Sequence, residues 1–227
     1  MRSLTTTTAA APSLIDDAFA AVTDPVAAKL VSSWKASGTN VTGVSDMLSL
    51  PPQIDLIEKV KPGAKRIGMV YSPGEVNSVT VARELKAELA KRNMTLVEAA
   101  APRTVDVAPA AKSLVGKVDA IYTSTDNNVV STYESLVRVA TDAKIPLIAA
   151  DTDSVKRGAI AALGMNYYDM GRQTGKIVVR ILKGEKAGDI APQLGDKTTL
   201  TVNPEAAKKQ GAPLSPALLK EAKDTVK

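Results

Sequence analysis

Two polar clusters follow directly on short apolar runs. Thr125-Asp126-Asn127 comes after the run at residues 119–123, and Asp151-Thr152-Asp153-Ser154 after the run at 146–150. Carboxylates accept hydrogen bonds and neutralise a cation, whereas threonine hydroxyls and asparagine amides donate to an anion. Such a set can hold a small polar molecule, provided the fold brings the clusters to one place. Both runs, and a third at residues 159–164, are too short for helices and are bounded by turn residues, so each reads as a buried parallel strand. In an open α/β sheet the carboxyl ends of the strands face the crevice in which ligands bind. The clusters therefore stand where binding chemistry is expected.

The flanking sequence supplies the elements of such a sheet. The best βαβ unit begins with RIGMVY at residues 66–71, a buried strand, and continues through the loop SPGEVNS into a helix over 76–92. Its apolar positions Val79, Ala82, Leu85 and Leu89 recur at helical spacing. TLVEA at 95–99 is the next strand, 107–115 a helix stopped by Gly116-Lys117, and VDAIYTSTD the strand that carries the first cluster. Upstream, AFAAV at 18–22 reads as a buried strand, 26–34 as a short helix with Pro25 near its first position, VTGVS as a strand, and 50–60 as a helix closed by Pro62-Gly63. Downstream, 166–169 reads as a polar turn, 170–183 as an amphipathic helix closed by Gly184, and 198–203 as a strand. The stretch from 213 onward reads as a final helix with Ser215 as N-cap and Pro216 at N1. Strand and helix alternate at the spacing of a doubly wound, mostly parallel sheet. Residues 1–13 are low in complexity, and no repeat with a period of about 20–50 residues is visible.

Composition narrows the chemistry. The 227-residue chain is 44% apolar and 23% charged, as expected of an ordinary globular protein with room for one large domain or two small ones. It has no cysteine and no histidine, which removes disulfides, thiolate and imidazole metal sites, Cys nucleophiles and His-based triads together. Catalysis by carboxylates, Ser or Lys remains open. The net charge of +5 is spread over helix-like segments, and the densest block, RELKAELAKR at 83–92, alternates in sign like a solvated helix face. With one Trp, one Phe and five Tyr, a base-stacking platform for nucleic acid is not expected. No apolar run approaches the roughly 18 residues of a membrane helix. The opening stretch lacks the apolar core of a secretory signal, so it gives no address of its own.

Six stretches carry a family resemblance: VTDPVAAKLV, NVTGVSD, KRIGMVYSPGEVNS, VDAIYTSTDNNVV, IAADTDSVKRGAIAALG and NYYDMGRQTGKI. Over residues 18–212 the chain resembles the substrate-binding proteins of ABC transporters, in particular those that bind aromatic amino acids such as tryptophan. The resemblance implies the type I periplasmic-binding-protein fold, an α/β fold of two Rossmann-like lobes with mostly parallel, doubly wound sheets and the ligand held between them. By that pattern residues 1–17 are a low-complexity N-terminus, 18–45 a remnant of the first lobe, 46–164 the second lobe, 165–185 a helix returning to the first, and 186–227 a hinge crossing with the C-terminal strand and helix. The hinge would run near 44–46, 163–166 and 189–197. Measured against the family, the first lobe is expected to be incomplete. The chain is then either a truncated product that binds weakly or one that pairs with a second copy to cover its open edges.

By the same resemblance the protein is the non-enzymatic solute-binding component of an ABC importer. It would need no cofactor or metal, work with membrane permease subunits outside the cytoplasm, periplasmic or lipid-anchored, and bind an amino acid or similar small polar solute. A zwitterion needs acceptors for its ammonium and donors for its carboxylate, because a charge left unpaired in a closed cleft is costly. Asp126 and Asp151 would accept from the ammonium. Thr125, Asn127, Asn77 and Ser78 would donate to the carboxylate, helped by a helix N-terminus. Thr23 and Asp24 end a strand of the first-lobe remnant, and Tyr71 and Tyr167 could stack on a ligand ring. Structural readings stand beside these: helix capping for Asp24, Asn77, Ser78, Asp126 and Asp151, lobe packing for Tyr167, and core or interface packing for Trp34. Two other functions fit parts of the chain. Asp151 and Asp153 form the Asp-x-Asp of a Mg²⁺-dependent phosphatase of haloacid-dehalogenase type, although such a motif normally belongs to the first strand of its domain. A ligand-sensing regulatory domain shares the two-lobed fold, although no helix-turn-helix headpiece is visible.

Overall fold

The computed structural model describes residues 16–226, so the low-complexity reading of residues 1–13 lies outside the described residues. The strands are β1 (Asp17–Ala20), β2 (Val41–Ser45), β3 (Arg66–Tyr71), β4 (Thr95–Ala100), β5 (Ala120–Thr123), β6 (Leu147–Ala149), β7 (Ala161–Met165), β8 (Gln193–Leu194), β9 (Thr198–Val202) and β10 (Asp224–Thr225). The helices are α1 (Leu50–Val60), α2 (Val76–Ala90), α3 (Val107–Ser113), α4 (Asn127–Ser131), α5 (Tyr133–Ala143), α6 (Asp153–Lys156), α7 (Tyr167–Leu182), α8 (Pro204–Lys209) and α9 (Pro216–Glu221). The described chain divides into two compact units, residues 16–46 with 168–195 and residues 47–167 with 196–226.

The larger unit is built on a seven-stranded sheet of order β10-β9-β7-β6-β5-β3-β4, parallel throughout except for the antiparallel pair β7–β9. Side chains of successive strand residues go to opposite faces, and each face has its own apolar cluster. Ile67, Met69, Ala120, Tyr122 and Ile148 pack with Ile54 and Ile57 of α1, Leu85 and Leu89 of α2 and Leu218 of α9. Val70, Ile121, Leu147 and Ala149 pack with Leu114 behind α3 and with Tyr133, Leu136 and Ala140 of α5. Burial on both faces explains why the strands read as unbroken apolar runs. At Gly68 the sheet accepts Leu114 so closely that a methyl group there would stand 2.9 Å from its Cδ1.

The helix α2 differs from its sequence reading. Val79 is 41% exposed, while Ser78 and Thr80 are buried beside Ala82, Leu85 and Leu89. The first turn faces inward through its hydroxyls because the Ser78 O–H donates to the buried Asp126 carboxylate. The final helix is as expected in its start, with Ser215 Oγ accepting from Leu218 N at 3.2 Å and Pro216 at the first position. It ends at Glu221, and the chain returns to pair β10 with β9.

The smaller unit has a parallel three-stranded sheet, β1-β2-β8, joined by α7. The strand β1 is only half-buried, so the buried strand expected at 18–22 is shorter and more exposed than its apolar composition suggests. Residues 26–34 do not form the expected helix. Asp24 starts one, its Oδ1 accepting from Val26 N and Ala27 N, but Lys29 takes a left-handed φ of 60° and the N–H groups of Leu30 and Val31 both turn back to the Pro25 carbonyl. A single turn results. The expected polar turn at 166–169 is instead largely helical, because α7 begins at Tyr167, with Asp169 in a first turn where its charge favours the helix dipole.

Candidate functional site

In the larger unit the strand order reverses at β3. The connection through α2 carries the chain outward to β4, and the next, through α3, brings it back to β5 on the other side of β3. The crevice at such a switch point, outside the carboxyl ends of β3 and β5, is where open α/β sheets bind ligands. Five of the sequence-derived residues meet there: Asn77 and Ser78 from the start of α2, Thr125 and Asp126 from the turn after β5, and Asn127 at the start of α4.

Asp126 is the centre of this group and is fully buried. Its Oδ2 accepts from Ser72 N at 2.6 Å and from Ser78 Oγ at 2.7 Å, and its Oδ1 accepts from Val129 N at 2.9 Å as the cap of α4. The carboxylate thus ties the loop after β3, the first turn of α2 and the start of α4 into one piece. Around it, Asn77 Nδ2 donates to the Thr125 carbonyl at 3.2 Å, and Glu75 Oε2 accepts from Asn127 N at 3.0 Å and Asn127 Nδ2 at 2.7 Å. Ser124 is buried, and its hydroxyl has no hydrogen-bond partner among the described residues. Glu75 and Ser72 were not singled out from sequence. The Glu75 contact has no local signal, since its partner lies 52 positions away.

Asp151 ends the neighbouring strand and is half-buried. Both its oxygens accept from Ser154, Oδ1 from the backbone N at 2.8 Å and Oδ2 from Oγ at 2.6 Å, which leaves lone pairs on each oxygen for another donor. The Asp-x-x-Ser spacing of this cap is legible in the sequence. Gly164 of β7 lies against this loop: a methyl group on it would stand 2.9 Å from both the Ala150 carbonyl oxygen and Thr152 N. Burial foremost, with the Asp151 charge adding, pushes the hydroxyls of Tyr122 and Tyr133 above the ordinary tyrosine range. Asp153 is turned to solvent, 80% exposed and paired with Lys156 at 3.0 Å. The two aspartates of the Asp-x-Asp string therefore serve different surroundings, and among the described residues no group of three or more His, Cys, Asp or Glu is placed to hold a metal.

Tyr71 stands at the carboxyl end of β3, half-buried against the α1 and α2 side of the sheet. Burial, then the charge and hydrogen bond of Glu98 on β4, raise its hydroxyl above the ordinary value. Tyr167, 44% exposed, follows the end of β7. In the smaller unit Thr23 Oγ1 donates to Asp46 at 2.8 Å and its carbonyl accepts from Ser45 Oγ at 2.8 Å, while Asp24 caps the single turn that follows it. Trp34 is 38% exposed. A cavity of about 430 Å³ in the larger unit lies away from these residues, lined by Leu56, Lys59, Leu163, Thr199, Leu200 and Glu221 among others.

Residues 4–226 match the family model described as ABC transporter substrate binding protein. The chain belongs to that family. A tyrosine-binding protein of Clostridioides difficile (strain R20291) is 39% identical over 188 residues, 83% of this chain and 54% of that protein. A solved conserved domain protein from Vibrio cholerae superposes with a TM-score of 0.88 at 41% identity, covering 93% of this chain and 71% of that one. The ABC domain solved in complex with L-Trp from Streptococcus pneumonia gives a TM-score of 0.87 at 34% identity, covering 96% of this chain and 75% of that one. This chain spans about half the length of the curated relatives it matches. The mixed α/β architecture with mostly parallel sheets is the one the sequence pattern and the family resemblance implied.

Proposed function

We propose that this substrate-binding protein holds an aromatic amino acid, with the strand ends of its larger unit forming one wall of the site. The observation that carries the reading is the pairing of family membership with two relatives of more than 30% identity, one named for tyrosine binding and one solved with L-Trp. The chemistry of the wall agrees with it. Asp151 keeps open lone pairs for an ammonium group, the half-buried Tyr71 offers a ring, and Asn77 supplies an amide at the start of α2. Asp126 is not a direct contact in this reading. Its lone pairs serve Ser72, Ser78 and Val129, and its role is to set the crevice that the other groups line.

In the cell the protein would act without catalysis, outside the cytoplasm, delivering its ligand to the membrane subunits of an importer. The test is titration of the ¹⁵N-labelled chain with L-tyrosine and L-tryptophan, with L-serine and L-lysine as controls, at concentrations that detect millimolar affinity. Saturable shifts confined to residues near 71–78, 124–127 and 151–154, produced by the aromatic amino acids alone, are expected. Absence of any saturable shift, or equal response to all four, would refute the reading.

A further inference from the structure

The short helix beside Asp151 is tied at both ends, and the second tie comes from 48 positions further along the chain. With four residues, α6 is too short to persist on its own. At its start Ser154 gives both its N–H and its Oγ–H to Asp151. Near its end the Val155 carbonyl accepts from Asn203 Nδ2 at 3.0 Å. The same Asn203 caps α8, its Oδ1 accepting from Ala206 N at 2.9 Å, and its backbone N donates to the Ile160 carbonyl at 2.8 Å. Fully buried Gln210, just past the end of α8, adds a second bridge: its Nε2 donates to the Gly158 carbonyl and its Oε1 accepts from Leu147 N, each at 2.8 Å. Ile160 N already donates to the Leu147 carbonyl, so in a longer parallel pair Leu147 N would reach the Gly158 carbonyl directly; the Gln210 amide stands in that rung. The anchor itself is firm, since Ala207 of α8 lies in the core and Lys144 Nζ donates to the Lys209 carbonyl at 2.8 Å.

We infer that Asn203, supported by Gln210, is a positioning residue for Asp151. By holding α6 through the Val155 carbonyl it keeps Ser154 against the carboxylate, and so tunes the affinity of this wall for a ligand ammonium group. The inference rests on the amino-acid reading above only in its statement about affinity; the positioning itself is a property of the free protein. A carboxylate oriented before the ligand arrives loses less freedom on binding. To cap α8 alone, any acceptor at position 203 would do, and Ser or Asp would serve as well as Asn. The donor that asparagine adds goes to α6.

Asn203→Ser in the full 227-residue chain keeps an acceptor for Ala206 N and loses the reach to Val155. In the ligand-free protein, hydrogen exchange at the Ser154 amide, which donates to Asp151, should quicken about fivefold, while the Val129 amide, which donates to Asp126, is unchanged. In binding, affinity for L-tyrosine should fall about five- to tenfold, while affinity for 3-(4-hydroxyphenyl)propionate, which lacks the ammonium group, stays as it was. A general loss of stability would move both amides, or both ligands, together. Asn203→Asp keeps the shape and the cap but turns an acceptor towards the Val155 carbonyl, and should widen the gap between the Ser154 and Val129 rates. An unaltered Ser154 exchange rate, an equal quickening at Val129, or equal weakening of both ligands overturns the proposal. Should the unsubstituted protein bind neither compound, the amino-acid reading fails, and the exchange comparison still decides whether Asn203 positions Asp151.

Discussion

At the scale of single residues, the two aspartates that follow buried strands divide their labour by what reaches them. Asp126 is sealed and takes three hydrogen bonds, two of them from the loop after β3 and from α2. Replacing it by Asn turns an amide NH₂ or a single acceptor towards donors that require a carboxylate, so Asp126→Asn should lower stability by roughly 2–4 kcal/mol. The urea midpoint reads this directly. At the opposite end of the strands, Asp119 accepts from Lys65 N, Arg66 N and the Arg66 guanidinium, and these hold its carboxyl down at about 2 from an ordinary 3.8. A carboxylate with a lowered folded pKa contributes its stability above the unfolded value and loses it as pH falls through the folded one. Asp119→Ala should therefore cost about 1 kcal/mol at pH 7, since the pair is partly solvated. That deficit should shrink between about pH 4 and pH 2, read as converging urea midpoints of variant and parent. Asp126 was legible as a strand-end carboxylate, whereas Asp119 read only as the start of the strand at 119–123. Their partners, 48 to 54 positions away, were not legible.

At the scale of elements, the loop between β6 and α6 is fixed by a glycine in the next strand. Gly164→Ala would drive a methyl group to 2.9 Å from two backbone atoms of residues 150 and 152. The loop must then move, at a cost of about 1–3 kcal/mol, and Asp151 moves with it. Ligand-induced shifts at residues 151–154 should diminish in that variant even where its fold, by circular dichroism, is retained. Helix ends written in local chemistry match the structure: Ser215-Pro216 opens α9, and α1 ends at Val60, just before the Pro62-Gly63 turn. Two readings fail for different reasons. Residues 26–34 carry a cap and a helical composition but reverse at Lys29, where the N–H groups of Leu30 and Val31 both return to the Pro25 carbonyl. In α2, Ser78 turns inward to the distant Asp126 while Val79 faces out, a contact that outweighs periodicity worth a few tenths of a kcal/mol per residue.

At the scale of the whole molecule, both apolar clusters among the described residues belong to the larger unit, whereas the smaller unit has three short strands, two of them, β1 and β8, half-buried at most. Native-state hydrogen exchange should therefore find the amides of β2 opening at least about tenfold more readily than those of β5 and β6; equal protection would mean that the two units unfold together. Most of the succession of strands and helices, the caps at Asp126, Asp151 and Ser215, and the family were determined by the sequence alone, because they depend on neighbours within a few residues or on the preserved succession of such segments. Only the tertiary structure decided that Asp126 is closed and Asp151 open. Each stands after a buried strand and caps the helix that follows, so locally they are alike; they differ because the chain reverses its strand order beside Asp126 and delivers donors to it across the switch point, where burial and hydrogen bonding are settled by the fold's path and not by adjacent residues.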